Sequence, residues 1–206
     1  LHRVDRRQRQ MCIRDSTTAS NNTAVGFSAL AANTTGTENV AIGSYSLDAS
    51  GAGTDGSYNV AIGNDALGAN TEGQFNVAVG RRALYVNTTA DNNTAVGYNA
   101  GAANTDGHSN TFIGAEAGDS ITTGDENTAV GHGALDGATT VNGNTAVGTD
   151  TMASASYAGG NNTAVGYNAM LVATTGSGLT AIGNQALDAN TTGSNNTAVG
   201  SAALGA

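Results

Sequence analysis

The chain contains no proline, no tryptophan and no lysine, and its one cysteine is Cys12. Without proline, backbone ladders can run uninterrupted. A lone thiol allows no internal disulfide and no thiolate metal site. Aromatic residues are only 4 % of the chain, and no apolar run approaches a bilayer-spanning length of about 18 residues. Direct membrane insertion is therefore not expected. Histidine is limited to His2, His108 and His132. No nucleophile elbow, phosphate loop or zinc-ligand spacing occurs. The sequence thus predicts no catalytic residue, no cofactor and no metal site: a protein that is not an enzyme. Carboxylates such as Glu38, Asp48, Asp55 and Asp91 stand singly, and Asp125-Glu126 is the only adjacent pair. The Gly-Gly-x-Gly-x-Asp phrase of Ca²⁺-binding rolls is missing, which leaves only unspecific association of Ca²⁺ with an acidic surface.

What the chain has in abundance is one phrase. Asn22-Thr23-Ala24-Val25-Gly26 returns as Asn39-Val40-Ala41-Ile42-Gly43 and continues to Asn196-Thr197-Ala198-Val199-Gly200, eleven times in all. Its closing glycines lie 17 residues apart in eight of ten intervals, with one interval of 20 and one of 18. A short fixed period predicts stacked coils rather than a globular core. The fold expected is all-β, a parallel β-solenoid of about eleven 17-residue coils. At the inter-strand spacing this is a rod of roughly 50 Å.

Within the phrase, the residue before the glycine is Val or Ile in every copy, which suits a strand and the filled interior of a coil. Two residues earlier, on the same face, stands Thr in eight copies and Val in three (Val40, Val60, Val77). The residue between them is Ala except at Phe112. So strict an alanine column predicts close approach to another surface, either the other wall of the same coil or another chain. Asn opens the phrase at Asn22, Asn39, Asn59, Asn76, Asn93, Asn110, Asn127, Asn144, Asn162 and Asn196, with Leu179 as the exception. Stacked at one coil per residue, these are expected to form a structural ladder of side-chain amides.

An Ala-Leu pair such as Ala66-Leu67 follows six of the eleven glycines. Met152 and Met170 replace the Leu, while Gly101 and Gly118 delete it, which predicts two under-packed coils. Turns such as Asn70-Thr71-Glu72-Gly73 close the coil with residues that tolerate positive φ or bond nearby backbone.

The first sixteen residues stand outside the repeat. Arg6-Arg7-Gln8-Arg9-Gln10-Met11-Cys12-Ile13-Arg14-Asp15-Ser16 resembles the translation of a transposase adapter used in sequencing libraries. Residues 1–16 are accordingly read as an artefactual, disordered leader, and 17–206 as the solenoid domain, truncated at its C-terminal end. Without the leader, Arg81 and Arg82 face fourteen acidic residues, a net charge of −12. Such a surface repels nucleic acid and anionic headgroups.

The phrase followed by two residues and Ala-Leu resembles the head repeats of trimeric autotransporter adhesins, the closest stretches being Asn93-Thr94-Ala95-Val96-Gly97-Tyr98-Asn99-Ala100 and Asn162-Thr163-Ala164-Val165-Gly166-Tyr167-Asn168-Ala169. It resembles still more the repeat arrays of phage tail fibres. The resemblance covers Asn21 to Leu204 and implies a homotrimer of side-by-side solenoids, outside a bacterial cell (outer-membrane-anchored in the full-length protein) or on a virion tail. It also implies a structural or adhesive fibre segment that presents a binding surface to a host-cell glycan or protein. The period of 17 departs from the shorter one of adhesin heads.

Residues that vary between repeats would carry specificity: Phe27, Tyr45, Tyr58, Phe75, Arg81, Arg82, Tyr85, Tyr98, Tyr157 and Tyr167. Arg81-Arg82 is the one basic spot outside the leader. Two other readings remain open. One is a passive stalk of a longer fibre. The other is an ice-binding solenoid, on the strength of the Thr column and of turn pairs such as Thr34-Thr35 and Thr191-Thr192.

Overall fold

A computed structural model of the chain describes residues 18–49, 56–154 and 157–205. The leader at 1–16, Gly51-Ala52-Gly53 and Asp55 lie outside the described residues. Eleven three-residue strands form from the repeated phrase: β1 (Thr23–Val25), β2 (Val40–Ile42), β3 (Val60–Ile62), β4 (Val77–Val79), β5 (Thr94–Val96), β6 (Thr111–Ile113), β7 (Thr128–Val130), β8 (Thr145–Val147), β9 (Thr163–Val165), β10 (Thr180–Ile182) and β11 (Thr197–Val199). They stack in chain order as one parallel sheet. Equivalent positions pair: Thr94 with Thr111, Ala95 with Phe112, Val96 with Ile113. The chain is a parallel β-solenoid, as the period predicts.

Each strand is short because positive φ angles bracket it. Asn92 (φ 62°) precedes β5 and Gly97 (φ 146°) follows it. At Gly97 a Cβ would strike the carbonyl of Gly114 in the next coil. Positive φ and contact between coils together exclude a side chain, which accounts for glycine at this place in every copy.

The two faces of the strand are the reverse of the sequence expectation. The alanines point inward: Ala41, Ala61, Ala78, Ala95, Ala129, Ala146, Ala164 and Ala181 are fully buried. The Val/Ile column points outward, and Ile113 in mid-rod remains 40 % exposed. The Thr/Val column shares that outer face and is half-buried along most of the rod. The reason is the narrowness of the coil. Leu67, Leu84, Leu135, Met152 and Met170 reach into the same interior and are completely buried. Two bulky layers do not fit between walls this close, so the strand contributes Ala and the second wall contributes Leu. Of the two surfaces considered for the alanine column, it is the coil's own other wall.

The leucines adopt left-handed backbone, with φ 49° at Leu84 and 58° at Leu135. That conformation costs a non-glycine residue about 1–3 kcal/mol. Burying the side chain contributes about 1.5–3 kcal/mol in return. The Leu84 N–H also donates to the carbonyl of Ala100 in the next coil at 3.0 Å. The second wall is thus laddered like the first, although its backbone is a chain of turns.

The coils that lack Leu are not under-packed. Phe112, the one non-alanine on the inner strand face, is fully buried between them. A Cβ at either Gly101 or Gly118 would run into its ring. One large side chain from the first wall replaces two leucines of the second.

An asparagine ladder runs from Asn22 to Asn162, wired mainly through backbone, and the predicted Asn196 lies beyond its break at Leu179. In the opening column the side chain bonds mainly to backbone. Asn93 Oδ1 accepts from the Asn110 N–H (2.8 Å) and Asn93 Nδ2 donates to the Gly107 carbonyl (2.7 Å). The same pair of bonds recurs at Asn39, Asn59, Asn76, Asn110, Asn127, Asn144 and Asn162. Asn22 heads the column, its Oδ1 accepting from the Asn39 N–H. Leu179 ends the run, receiving the last Oδ1 on its N–H. Side-chain-to-side-chain rungs occur in both columns: Asn127 Nδ2 donates to Asn110 Oδ1 (3.1 Å) and Asn144 Nδ2 to Asn127 Oδ1 (3.4 Å) in the opening column, and Asn87 Nδ2 to Asn70 Oδ1 and Asn104 Nδ2 to Asn87 Oδ1 in the turn column. Ile121 occupies the next rung, and Asn104 Oδ1 is buried without a hydrogen-bond partner.

Replacing Asn93 with Ala should orphan the Asn110 N–H, while the Gly107 carbonyl keeps its bond from Asn104 Nδ2 (2.9 Å). The expected loss is about 1–3 kcal/mol, read as a lower denaturant midpoint. An unchanged midpoint would mean that the column does not stabilise the rod.

Candidate binding surfaces

The outer strand face is an apolar ridge. Val25, Ile42, Ile62, Val96, Ile113, Val165, Ile182 and Val199 are exposed along it. In β2 to β4 its second column is apolar as well, through Val40, Val60 and Val77. Tyr58 and Phe75 flank these coils, their rings stacked at 5.0 Å and nearly parallel.

The other variable residues lie on neighbouring columns. Phe27 and Tyr45 meet edge to face at 5.3 Å. The Arg82 guanidinium lies 4.4 Å from the Tyr85 ring centre, and Arg81 lies 5.8 Å from that of Tyr98. The basic spot is therefore seated on two tyrosine faces, where a cation is attracted by the ring quadrupole. Tyr167 is half exposed on its own coil. Tyr157 is a correction: it is buried, its hydroxyl donating to Asn144 Oδ1 and accepting from Asn162 Nδ2. Burial pushes its phenol up to about 12, against the Asn162 bond. It is a member of the asparagine ladder and carries no surface specificity.

His108 belongs to another ladder. Its Nδ1 accepts from the Asp91 N–H (3.0 Å) and its own N–H donates to Asp125 Oδ1 (2.7 Å). Asp91 and Asp125 repeat the pattern towards Gln74 and Asn142. These turn carboxylates are acceptors for the adjacent coil. The turn threonines are engaged in the same way: the hydroxyls of Thr71, Thr105, Thr122 and Thr174 donate to carbonyls one coil on.

On the second wall, His132 lies 3.8 Å from both Glu116 and Asp150, and Asp136 is within electrostatic reach of Asp119, Asp150 and Glu116. No group of three or more potential ligands is arranged to hold a metal ion among the described residues. The Asp136 carboxyl is pushed up to about 6, by burial first and then by the charges of Asp119, Asp150 and Glu116. Burial also raises Asp119, opposed by its bond from Ser120 and reinforced by Glu116. An acid with a folded pKa above its unfolded value binds its proton more tightly in the fold. Stability therefore rises as pH falls through about 6, and the gain is complete below 3.8. The rod should melt higher at pH 5 than at pH 7, and Asp136→Asn should shrink that difference. An undiminished difference would place the proton uptake elsewhere.

An open cleft of about 460 Å³ lies on the same wall nearer the N-terminal end. Tyr45, Tyr85, Asp48, Asp65, Thr71 and Thr88 are among the residues that line it. It exists because Gly68 has no side chain between Asp48 and Tyr85, which hold the equivalent positions one coil before and after.

Comparison with protein-family models, with curated proteins and with solved structures gave no match to the chain. No described helix is long and apolar enough to cross a membrane.

Proposed function

We propose that this chain is a segment of an extracellular fibre, on a bacterial surface or a virion tail, in which three solenoids stand side by side with their strand ridges turned towards one another. The observation that carries the reading is the ridge. The coil interior is already filled by Ala, Leu and Asn, yet a continuous line of Val and Ile faces solvent from Val25 to Val199. Apolar surface extended over a whole rod calls for a cover. A second copy supplies one of matching length and period. The number three, the fibre and its location outside the cell come from the resemblance to adhesin heads and tail fibres. The second wall, with its tyrosines and carboxylates, is then left outside the assembly as the presenting surface for a host glycan or protein.

One observation is on the side of ice binding: the Thr column of Thr94, Thr111, Thr128, Thr145 and Thr163 shares the outer strand face with the exposed Val and Ile. The turn hydroxyls of Thr71, Thr105, Thr122 and Thr174, by contrast, already donate to backbone. Thermal hysteresis of the purified rod tests this second reading. The test of the fibre is the mass in solution of residues 17–206, by light scattering after size exclusion. Three times the chain mass is expected, and a stable soluble monomer would overturn the assembly.

A further inference from the structure

We propose that the cleft between Tyr45 and Tyr85 binds an uncharged saccharide unit. This rests on the fibre reading only in supplying that reading with a ligand class; the cleft itself belongs to a single chain. Its volume, about 460 Å³, lies within the roughly 300–1,000 Å³ of small-ligand sites.

The chemistry of its lining selects the ligand. Asp65 contributes a carboxylate, which only accepts hydrogen bonds when ionised, and the buried Asp48 adds a second acidic group to the lining. Thr71 and Thr88 already donate their hydroxyl protons to the carbonyls of Thr88 and Thr105, so towards the cleft they too are acceptors. A fitting ligand is rich in donors and carries no negative charge. Two aromatic side chains, Tyr45 and Tyr85, share the lining and favour a ligand with an apolar C–H face. Hydroxyls around the edge and C–H groups on the face describe a neutral hexose. Cations are donor-rich as well, but the Tyr85 ring already has the Arg82 guanidinium at 4.4 Å. A second cation there would meet a like charge. Acidic sugars would meet two carboxylates.

Gly68 provides a clean way to close the cleft. It does not adopt positive φ, and a Cβ there would lie 3.3 Å from the Asp65 carbonyl and 3.4 Å from the Tyr85 ring. Leu171 occupies the equivalent position in another coil, so the backbone accepts Leu here.

The experiment is saturation-transfer NMR on the full chain with methyl glucoside, galactoside and mannoside and with lactose. Transfer to ring C–H protons is expected for at least one of them. Tyr45→Ala should weaken binding roughly tenfold, the loss of about 1.4 kcal/mol, and Gly68→Leu should abolish it. Val172→Ala, exposed on a distant coil, should leave it unchanged. Both cleft variants should keep the parent melting temperature, which separates a blocked site from a damaged fold. Absence of transfer to all four sugars overturns the proposal. So does binding that survives both cleft variants, or a preference for sialyllactose or spermidine over the neutral sugars. A trimer that takes up no sugar keeps the fibre and removes this site; a monomer that binds through the cleft does the reverse.

Discussion

Asp substitutions at Ile42, Ile62 and Ile113 should convert a trimer of the solenoid into soluble monomers. All three side chains lie on the outer strand face and take no part in the coil interior. In the isolated chain an Asp there is exposed and hydrated, so each coil should fold as before. In the assembly each Asp would be brought close to its two symmetry copies in an apolar seam. Removing an unpaired carboxylate from water costs several kcal/mol, and like charges add to that. The measurement is mass by light scattering, with circular dichroism to show that the β-signal persists. Trimers that survive the triple substitution would mean that the ridge is not the contact.

The second large effect concerns Phe112. Phe112→Ala should destabilise the rod by about 3–5 kcal/mol, because it empties the volume that two missing leucines would otherwise fill. Gly101→Leu and Gly118→Leu should each destabilise in the parent, since a Cβ at either position meets the Phe112 ring. Combined, the three changes restore the arrangement of the other coils, with Ala on the strand and Leu on both second-wall turns. The left-handed backbone at these glycines, φ 58° and 59°, matches that of Leu135 at 58°. The triple variant should therefore recover most of the loss. A strongly non-additive cycle is the signature of residues that share one volume. Additive losses would show that the ring and the glycines do not exchange for leucine.

The period of 17, the closing glycines and the absence of proline were enough to determine a solenoid and to place every strand. That follows because each of these features acts locally: glycine allows positive φ, β-branched residues favour strands, and a fixed period puts equivalent positions in register. The opening asparagines were legible as a ladder for the same reason.

Only the tertiary structure decided which way the strand faces. Alternation shows that Thr and Val share a face and that Ala opposes them, but not which face is inside. The answer depends on the width left by Leu on the second wall, and Leu is brought opposite Ala only once the coil has closed. The partnership of Phe112 with Gly101 and Gly118 was hidden likewise: eleven and six residues separate Phe112 from them in the chain, and nothing local links a large strand residue to two missing turn residues. Tyr157 looked like a surface aromatic, yet its coil turns the ring inward among the asparagines. The cleft, too, depends on stacking, because Gly68 opens a site only where coils carrying Asp48 and Tyr85 flank it. The repeat determined the form of each coil, whereas the volume enclosed by the closed coil decided which side chains are core and which are surface.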